Sequence, residues 1–217
     1  MKRIVHYIYD PLCGWCYAAE KLTDAVSASA QGKFEVQLHA GGLFSQMHLS
    51  NAKRANIRAA DARISQLTGQ PFGDAYLNGL LGDPEVIYDS FGPIVAILAA
   101  EQIKPGSDLK MLKALQTAHY LHGQHIGKRV TIADVAEGLG FDKAEFSAAV
   151  DRINEAQLHK HLDATQKIMR EVHASGFPTF VAQIGDQLAI LPHGGYYGDP
   201  EGFAAMVTSI LAPHPLA

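Results

Sequence analysis

The chain of 217 residues contains two cysteines, Cys13 and Cys16, which lie three positions apart in the stretch D-P-L-C-G-W-C-Y. Residues three apart on an α-helix share nearly the same face, and their Cα atoms lie roughly 5 Å apart. A disulfide tolerates a Cα separation of about 4.4 to 6.8 Å. The pair can therefore form and break a disulfide with little backbone movement, and this spacing favours thiol–disulfide exchange.

The two cysteines are not equivalent, because they occupy different places in the predicted helix. Cys13 lies at the N-terminal end, where unpaired N–H groups and the helix dipole favour an anion. Cys16 lies one turn further in and should be more shielded. Because the thiolate is the nucleophile, we expect Cys13 to attack a partner disulfide and Cys16 to resolve the mixed disulfide.

Other uses of the pair are open but less favoured. A structural disulfide across so small a loop stabilises little, and two buried, inert thiols are a further alternative. A metal site needs about four ligands, so two cysteines do not complete one. The helical spacing of His119, His122 and His125 could suggest a metal, but we expect solvated or hydrogen-bonded histidines there and predict no metal site.

A βαβ unit should position the cysteines. The run Arg3–Tyr9 is β-rich and almost wholly apolar, as expected of a buried central strand, and Pro11 ends it. Apolar residues then recur at helical spacing from Cys13 to about Ala30. The alternating stretch Phe34–Ala40 predicts the second strand, reached by a right-handed crossover.

The rest of the chain changes period twice. Residues 50 to 174 are almost entirely helical in pattern, with Thr131 as a predicted N-cap. Strands are then predicted at Thr179–Ile184 and Gln187–Leu191, and Asp199 should cap a last helix that ends near Leu211. We predict an α/β sheet interrupted by a large all-helical insertion, with one domain formed by residues 1–48 and 175–217 and the insertion by residues 49–174.

Composition excludes some classes of function. Hydrophobic residues make up 47% of the chain, enough to bury a core, and a net charge of −4 does not favour nucleic acid. No apolar run approaches the ~18 to 20 residues of a membrane span. The first ten residues, M-K-R-I-V-H-Y-I-Y-D, are too short in their apolar part for a signal peptide. We therefore expect a cytoplasmic protein with no nucleic-acid or membrane partner, provided that this start is the native one. The basic residues Lys53, Arg54, Arg58 and Arg63 should form a solvated helix face.

Three stretches resemble one known family. The stretch Y-I-Y-D-P-L-C-G-W-C-Y resembles the start of DsbA-like thioredoxin-fold proteins, particularly a cytoplasmic, FrnE-like branch related to 2-hydroxychromene-2-carboxylate isomerases and kappa-class glutathione transferases. S-G-F-P-T-F-V, at Ser175–Val181, is similar to the family's cis-proline segment. A-L-Q-T-A-H-Y-L-H-G-Q-H-I is similar to its helical insertion. The resemblance implies a thioredoxin fold, βαβ…ββα, with that insertion.

The resemblance also implies an exchange site. It implies a cis peptide bond between Phe177 and Pro178, which faces Cys13, and a role for Pro178 in shaping the site. Proline tolerates the cis form and has no N–H to donate, so the backbone of Phe177 would pair with an extended substrate segment. We expect Gly14, Trp15 and Phe177 to contact the substrate.

Two positions depart from the family pattern. Relatives often have an acidic residue six positions before the first cysteine, where it helps the second cysteine to lose its proton; here that residue is Tyr7. Asp10 and Glu20 are the alternative proton acceptors. Strongly oxidising relatives place a histidine between the cysteines, whereas this chain has Gly14 and Trp15, so we expect a less oxidising couple.

The expected function is thiol–disulfide exchange with protein substrates, with no metal or organic cofactor and with glutathione as a candidate redox partner. A cytoplasm poised at about −220 to −320 mV favours reduction or isomerisation. A glutathione-dependent isomerase or transferase acting on a small aromatic substrate is the rival, although such relatives present serine in place of Cys13. A non-catalytic chaperone that binds unfolded chains through the helical block is a third alternative.

Overall fold

A computed structural model describes residues 1–212, in which a mixed sheet of four strands has the order β2-β1-β5-β6. Strand β1 (Arg3–Tyr9) pairs in parallel with β2 (Glu35–Ala40) and antiparallel with β5 (Thr179–Ile184), and β6 (Gln187–Leu191) extends β5 antiparallel. Because β1 is central and covered on both faces, it is buried from Ile4 onward, which explains its continuous apolar run. The predicted strands and the α/β thioredoxin fold are confirmed.

The helix that carries the cysteines is interrupted. The sequence predicts one helix from Cys13 to about Ala30, whereas the structure has α1 (Gly14–Ala18) and α2 (Glu20–Ala30), separated at Ala19, whose ψ of 2° is not helical. The prediction of an unbroken helix is therefore wrong. The break leaves α1 as a short helix that carries the Cys13–Cys16 turn and packs against α3 and α5.

Helices fill the segment between the two halves of the sheet, as predicted. One boundary prediction is wrong: Thr131 does not cap a helix but lies inside one, because the chain already turns helical after Lys128. The helices of this segment are α3 (Asn51–Thr68), α4 (Phe91–Ile103), α5 (Asp108–Tyr120), α6 (Arg129–Gly138), α7 (Lys143–Arg152) and α8 (Glu155–Glu171), with a π-helical turn at Ala75–Leu80.

Two features of this segment were not predicted. Short strands β3 (Met47–His48) and β4 (Ile87–Tyr88) form a small antiparallel pair. Arg54, expected on a solvated face, is buried, because its guanidinium donates hydrogen bonds to the carbonyl oxygens of Leu49 and Asp83.

The C-terminal helix α9 (Pro200–Leu211) packs against α2 on one face of the sheet. It begins as predicted, with the Asp199 side chain accepting a hydrogen bond from the Gly202 N–H at 2.9 Å and with Pro200 in its first turn. Residues 213–217, the end of the predicted segment 175–217, lie outside the described residues. Within residues 1–212, no helix is both long enough and apolar enough to cross a membrane.

Candidate active site

The site lies at the carboxyl end of β1, where the chain turns into α1. The Cys13 N–H donates to the Asp10 carbonyl at 3.2 Å, which closes the turn after β1. Cys13 is the N-cap of α1, and its carbonyl accepts hydrogen bonds from the N–H groups of Cys16 and Tyr17, both at 3.0 Å. This turn brings both cysteine side chains to the same end of the sheet.

The two thiols differ in exposure in the direction that the sequence predicts. Both are free, Cys13 is 8% exposed and Cys16 is 1% exposed. Burial raises the pKa of the Cys16 thiol well above its usual value, and hydrogen bonding to Cys13 raises it further. Cys16 therefore holds its proton in the reduced protein, and Cys13 is the thiol nearer to solvent.

The segment Phe177–Pro178 lies directly across from Cys13. The peptide bond between Phe177 and Pro178 is cis, and the Cys13 thiol donates to the Phe177 carbonyl oxygen at 3.4 Å. The ring of Phe177 occupies the space over Gly41, where a Cβ would overlap it. Gly41 follows β2, so the end of β2 and the loop before β5 are fitted to each other beside the thiol.

Trp15 forms part of the rim of the site, and it has a partner that the sequence did not suggest. Its half-buried ring packs against Tyr197 with ring centres 5.4 Å apart, and the Tyr197 hydroxyl lies 3.5 Å from the Trp15 carbonyl oxygen. Burial raises the pKa of Tyr197, and the nearby Cys16 and Cys13 raise it further. Tyr197 lies in a loop before α9, and no spacing rule connects it with residues near position 15.

The alternative proton acceptors occupy different surroundings. The Asp10 N–H donates to Cys16 Sγ at 3.5 Å, and its carboxyl group is fully buried. Glu20 instead pairs with Lys113 at 3.4 Å and accepts a hydrogen bond from Gln70. The backbone of Asp10 therefore contacts Cys16, whereas the Glu20 carboxylate is paired with Lys113.

The Asp10 carboxylate joins three segments around the site. It accepts hydrogen bonds from the N–H of Leu12 at 2.8 Å, the N–H of Leu43 at 2.6 Å and the hydroxyl of Ser90 at 2.9 Å. Burial raises the pKa of Asp10, and these donors act in the opposite direction. Ser90, a buried residue just before α4, also accepts a hydrogen bond from the Phe44 N–H, so it ties the helical segment to the cysteine turn.

Two further residues lie against the turn. The Tyr7 hydroxyl donates to the Cys16 carbonyl at 3.3 Å, and burial raises its pKa well above the usual value, so at this position the chain has a neutral donor. Gly14 lies against Asp61 and Ile64 of α3, where a Cβ on Gly14 would come within 2.6 Å of Asp61 Oδ1. Sequence reasoning missed Asp61, because nothing in the sequence relates position 61 to position 14.

The three histidines considered as metal ligands do not form such a site. His119 is buried against aromatic rings, and burial lowers its pKa to about 3. Within the described part of the chain, no group of three or more His, Cys, Asp or Glu side chains is arranged to hold a metal ion.

A dithiol turn after the first strand, a facing cis-proline and a helical segment between the halves of the sheet together define the DsbA-like thioredoxin class. Residues 4–194 match the family model for the DSBA-like thioredoxin domain. The chain belongs to this family of disulfide oxidoreductases, and the predicted resemblance to the family is confirmed.

Individual relatives cover most of this chain. It is 36% identical to the cytosolic disulfide reductase DsbM from Pseudomonas aeruginosa, with 96% of this chain and 98% of that one aligned and a TM-score of 0.88. A DsbM structure with glutathione (GSH) also aligns, with a TM-score of 0.86 and the same identity and coverage. A 2-hydroxychromene-2-carboxylate isomerase shares the fold, at 16% identity over 96% of this chain and 99% of that one, with a TM-score of 0.61.

A curated relative is the ClpXP adapter protein SpxH from Halalkalibacterium halodurans, 26% identical over 184 residues. The alignment covers 82% of this chain and 57% of SpxH, so the chain spans little more than half the length of that relative.

Proposed function

We propose that the chain exchanges disulfides with protein substrates through Cys13 and Cys16 and acts mainly as a reductase. The observation that carries this proposal is the 3.4 Å contact between the Cys13 thiol and the Phe177 carbonyl, beside the cis bond to Pro178. In this arrangement the Cys13 thiol, the more exposed of the two, lies next to the Phe177 backbone, which can pair with an extended peptide. Cys16 is more deeply buried.

Reduction takes two exchange steps. The Cys13 thiolate attacks one sulfur of a substrate disulfide, forming a mixed disulfide and releasing one substrate thiolate, which takes up a proton. Cys16 then loses its proton and attacks the Cys13 sulfur, which releases the second substrate thiol and leaves a Cys13–Cys16 disulfide. The Asp10 N–H, 3.5 Å from Cys16 Sγ, is the donor that meets the thiolate as it forms, so Asp10 assists the second step.

Substrate contacts follow from the same geometry. Pro178 has no N–H, so Phe177 supplies the backbone groups that an extended substrate segment would pair with. Trp15, partly exposed beside Tyr197, offers apolar surface, and the half-buried Gly14 lies between it and Cys13.

Direction and partners are inferred from the relatives together with the site. DsbM is described as a cytosolic disulfide reductase, and one of its structures contains glutathione. We infer a cytoplasmic protein whose Cys13–Cys16 disulfide is reduced again by two glutathione molecules, which leave as glutathione disulfide. The protein's own chemistry then needs no metal or organic cofactor.

Cysteine variants test the proposal with insulin reduction as the assay. We expect Cys13→Ser to abolish activity, and we expect Cys16→Ser to accumulate a mixed disulfide with substrate or glutathione, detected by mass spectrometry. The double variant should fold normally and still bind substrate. Unchanged activity in the double variant would contradict the proposal and would favour a glutathione-dependent isomerase or transferase, or a chaperone, both of which can be assayed on the same preparation.

A further inference from the structure

Asp61 is a buried carboxylate that the helical segment places against the dithiol turn. It lies on α3 and is 3% exposed. A Cβ on Gly14 would lie 2.6 Å from Asp61 Oδ1 and 3.1 Å from Ile64 Cδ1, so the carboxylate lies directly against the backbone that follows Cys13. Gly14 is thus the residue type that allows this close approach.

The hydrogen bonding of Asp61 leaves one oxygen directed at the turn. Tyr76 donates to Oδ2 at 2.9 Å, whereas no donor within residues 1–212 is assigned to Oδ1. Burial raises the pKa of Asp61 to about 6, and the hydrogen bond from Tyr76 acts against that shift. The carboxyl group therefore changes its charge close to neutral pH.

The groups around Asp61 do not neutralise it. Tyr76, Tyr88 and Tyr120 face it from the π-helical turn, β4 and α5, and burial raises the pKa of each, so all three are uncharged near neutral pH. His119, in contact with the Tyr76 ring, is also neutral. Arg58, one turn earlier on α3, donates to the Leu77 carbonyl and the Asn78 side chain.

We propose that Asp61 is a positioning residue that sets the redox equilibrium of the dithiol, by placing a negative charge beside the turn that carries Cys13. This inference rests on the proposed function. A like charge disfavours the thiolate form of the reduced protein. Because dithiols with a stabilised reduced form are oxidising, the opposite effect makes this dithiol a stronger reductant.

The test is the equilibrium with glutathione, in which the dithiol and one glutathione disulfide give the Cys13–Cys16 disulfide and two glutathione thiols. For Asp61→Asn at a pH well above 6, we expect a shift of about fivefold toward the dithiol, the order of effect expected on removing one partly screened like charge. The shift should disappear well below the pKa of about 6, where the native carboxyl group is already protonated.

Two further variants make the result decisive. Asp186→Asn removes an exposed carboxylate from the β5–β6 turn and should leave the equilibrium unchanged. This turn lies at the other end of the sheet, since the Gly185 N–H donates to the Lys2 carbonyl at the start of β1. Tyr76→Phe removes the donor to Asp61, so the carboxyl ionises less readily. We expect a smaller shift in the same direction, which vanishes at alkaline pH.

A purely structural role for Asp61 predicts a loss of stability with no pH-dependent change in the equilibrium. A folded Asp61→Asn protein with the native equilibrium constant at every pH overturns the inference. If Asp61→Asn does not fold, an unchanged equilibrium in Tyr76→Phe near pH 6 overturns it. Failure of the proposed function is distinguishable, because the native protein would then not exchange with glutathione disulfide or reduce insulin.

Discussion

The two faces of strand β1 both bury titratable groups, but they do so in different ways. On one face, Tyr7 points toward Cys16, with the Asp10 cluster just beyond the end of the strand. On the other, His6 and His39 lie beneath α8, which contributes His161. We refer to these as the dithiol face and the histidine face.

The histidine face is a chain of neutral rings. His6 Nδ1 lies 2.9 Å from His39 Nε2, and His6 Nε2 lies 2.7 Å from the side-chain oxygen of Gln183. His161 Nε2 accepts a hydrogen bond from the Ala40 N–H at 3.0 Å. Burial lowers the pKa of all three histidines, that of His39 to about 3, so none is charged at neutral pH.

The difference lies in where the donors point. Burial favours the neutral form on both faces. Of the two faces, only the dithiol face has N–H groups in the described structure that point at a carboxylate or a thiol: Leu12 and Leu43 donate to the Asp10 carboxylate, and Asp10 donates its own N–H to the Cys16 sulfur. One strand thus buries neutral rings on its histidine face and holds hydrogen-bond donors toward a carboxylate and a thiol on its dithiol face.

The largest effect is expected from Asp10→Ala. It leaves the N–H groups of Leu12 and Leu43 and the hydroxyl of Ser90 without their buried acceptor. We expect a loss of about 3 to 5 kcal/mol in the free energy of unfolding, measured by urea denaturation. Ser90→Ala removes one of the donors and should cost about 1 to 2 kcal/mol. Equal, small losses of stability in the two variants would show that the Asp10 carboxylate does not hold these three segments together.

Gly41→Ala should come next. The added methyl group would overlap the Phe177 ring and push the segment before Pro178 away from Cys13. We expect a loss of about 2 to 3 kcal/mol in stability from overpacking, and a decrease of about tenfold in kcat/KM for insulin reduction from the misplaced backbone. Gly138→Ala, in open space at the end of α6, is the matched control: it should leave kcat/KM unchanged and should not lower stability, because alanine is the better helix former.

Acid should destabilise the histidine face. At a pH above the usual histidine value of 6.5, His39 is neutral in both the folded and unfolded chains, so its burial carries no pH-dependent penalty. Below that pH, His39 binds a proton in the unfolded chain but stays neutral in the folded protein, where its pKa is about 3. By about pH 5 this loss should reach about 2 kcal/mol from His39 alone.

The check is urea denaturation as a function of pH. His39→Gln should flatten the stability profile on the acid side, and His48→Gln, a change at an exposed histidine, should not. A profile for His39→Gln that parallels the native one would contradict the assignment of a neutral, buried ring.

The smallest effect is expected from Tyr197→Phe. It removes a hydroxyl 3.5 Å from the Trp15 carbonyl and keeps the ring contact with Trp15. We expect less than about 1 kcal/mol in stability, with a modest rise in KM for insulin as the indole loses support. Tyr196→Phe serves as the control, because the Tyr196 ring packs on Phe203. The same KM in both variants would show that the Tyr197 hydroxyl has no role at the site.

Local patterns predicted the elements well. The apolar run of β1 and the capping of α9 by Asp199 depend on neighbours in sequence, and both appear in the structure. The alternating stretch that predicted β2 does form a strand, but its burial does not alternate. Predictions failed where a tertiary contact overrides a local signal. Arg54 belongs to a basic stretch that predicts a solvated helix face. In the structure its guanidinium is instead buried and donates to the carbonyl oxygens of Leu49 and Asp83. Thr131 is a good N-cap residue that the fold takes into the interior of α6.

The sequence by itself determined the chemistry that is available: a cysteine pair three residues apart, opening a helix directly after a buried strand. Only the tertiary structure decided which groups act on that pair, because Phe177, Ser90 and Asp61 are brought to the turn from distant parts of the chain. Helical period and capping depend on residues within about four positions of one another. Hydrogen bonds and charge effects depend on distance in space, which no local spacing encodes.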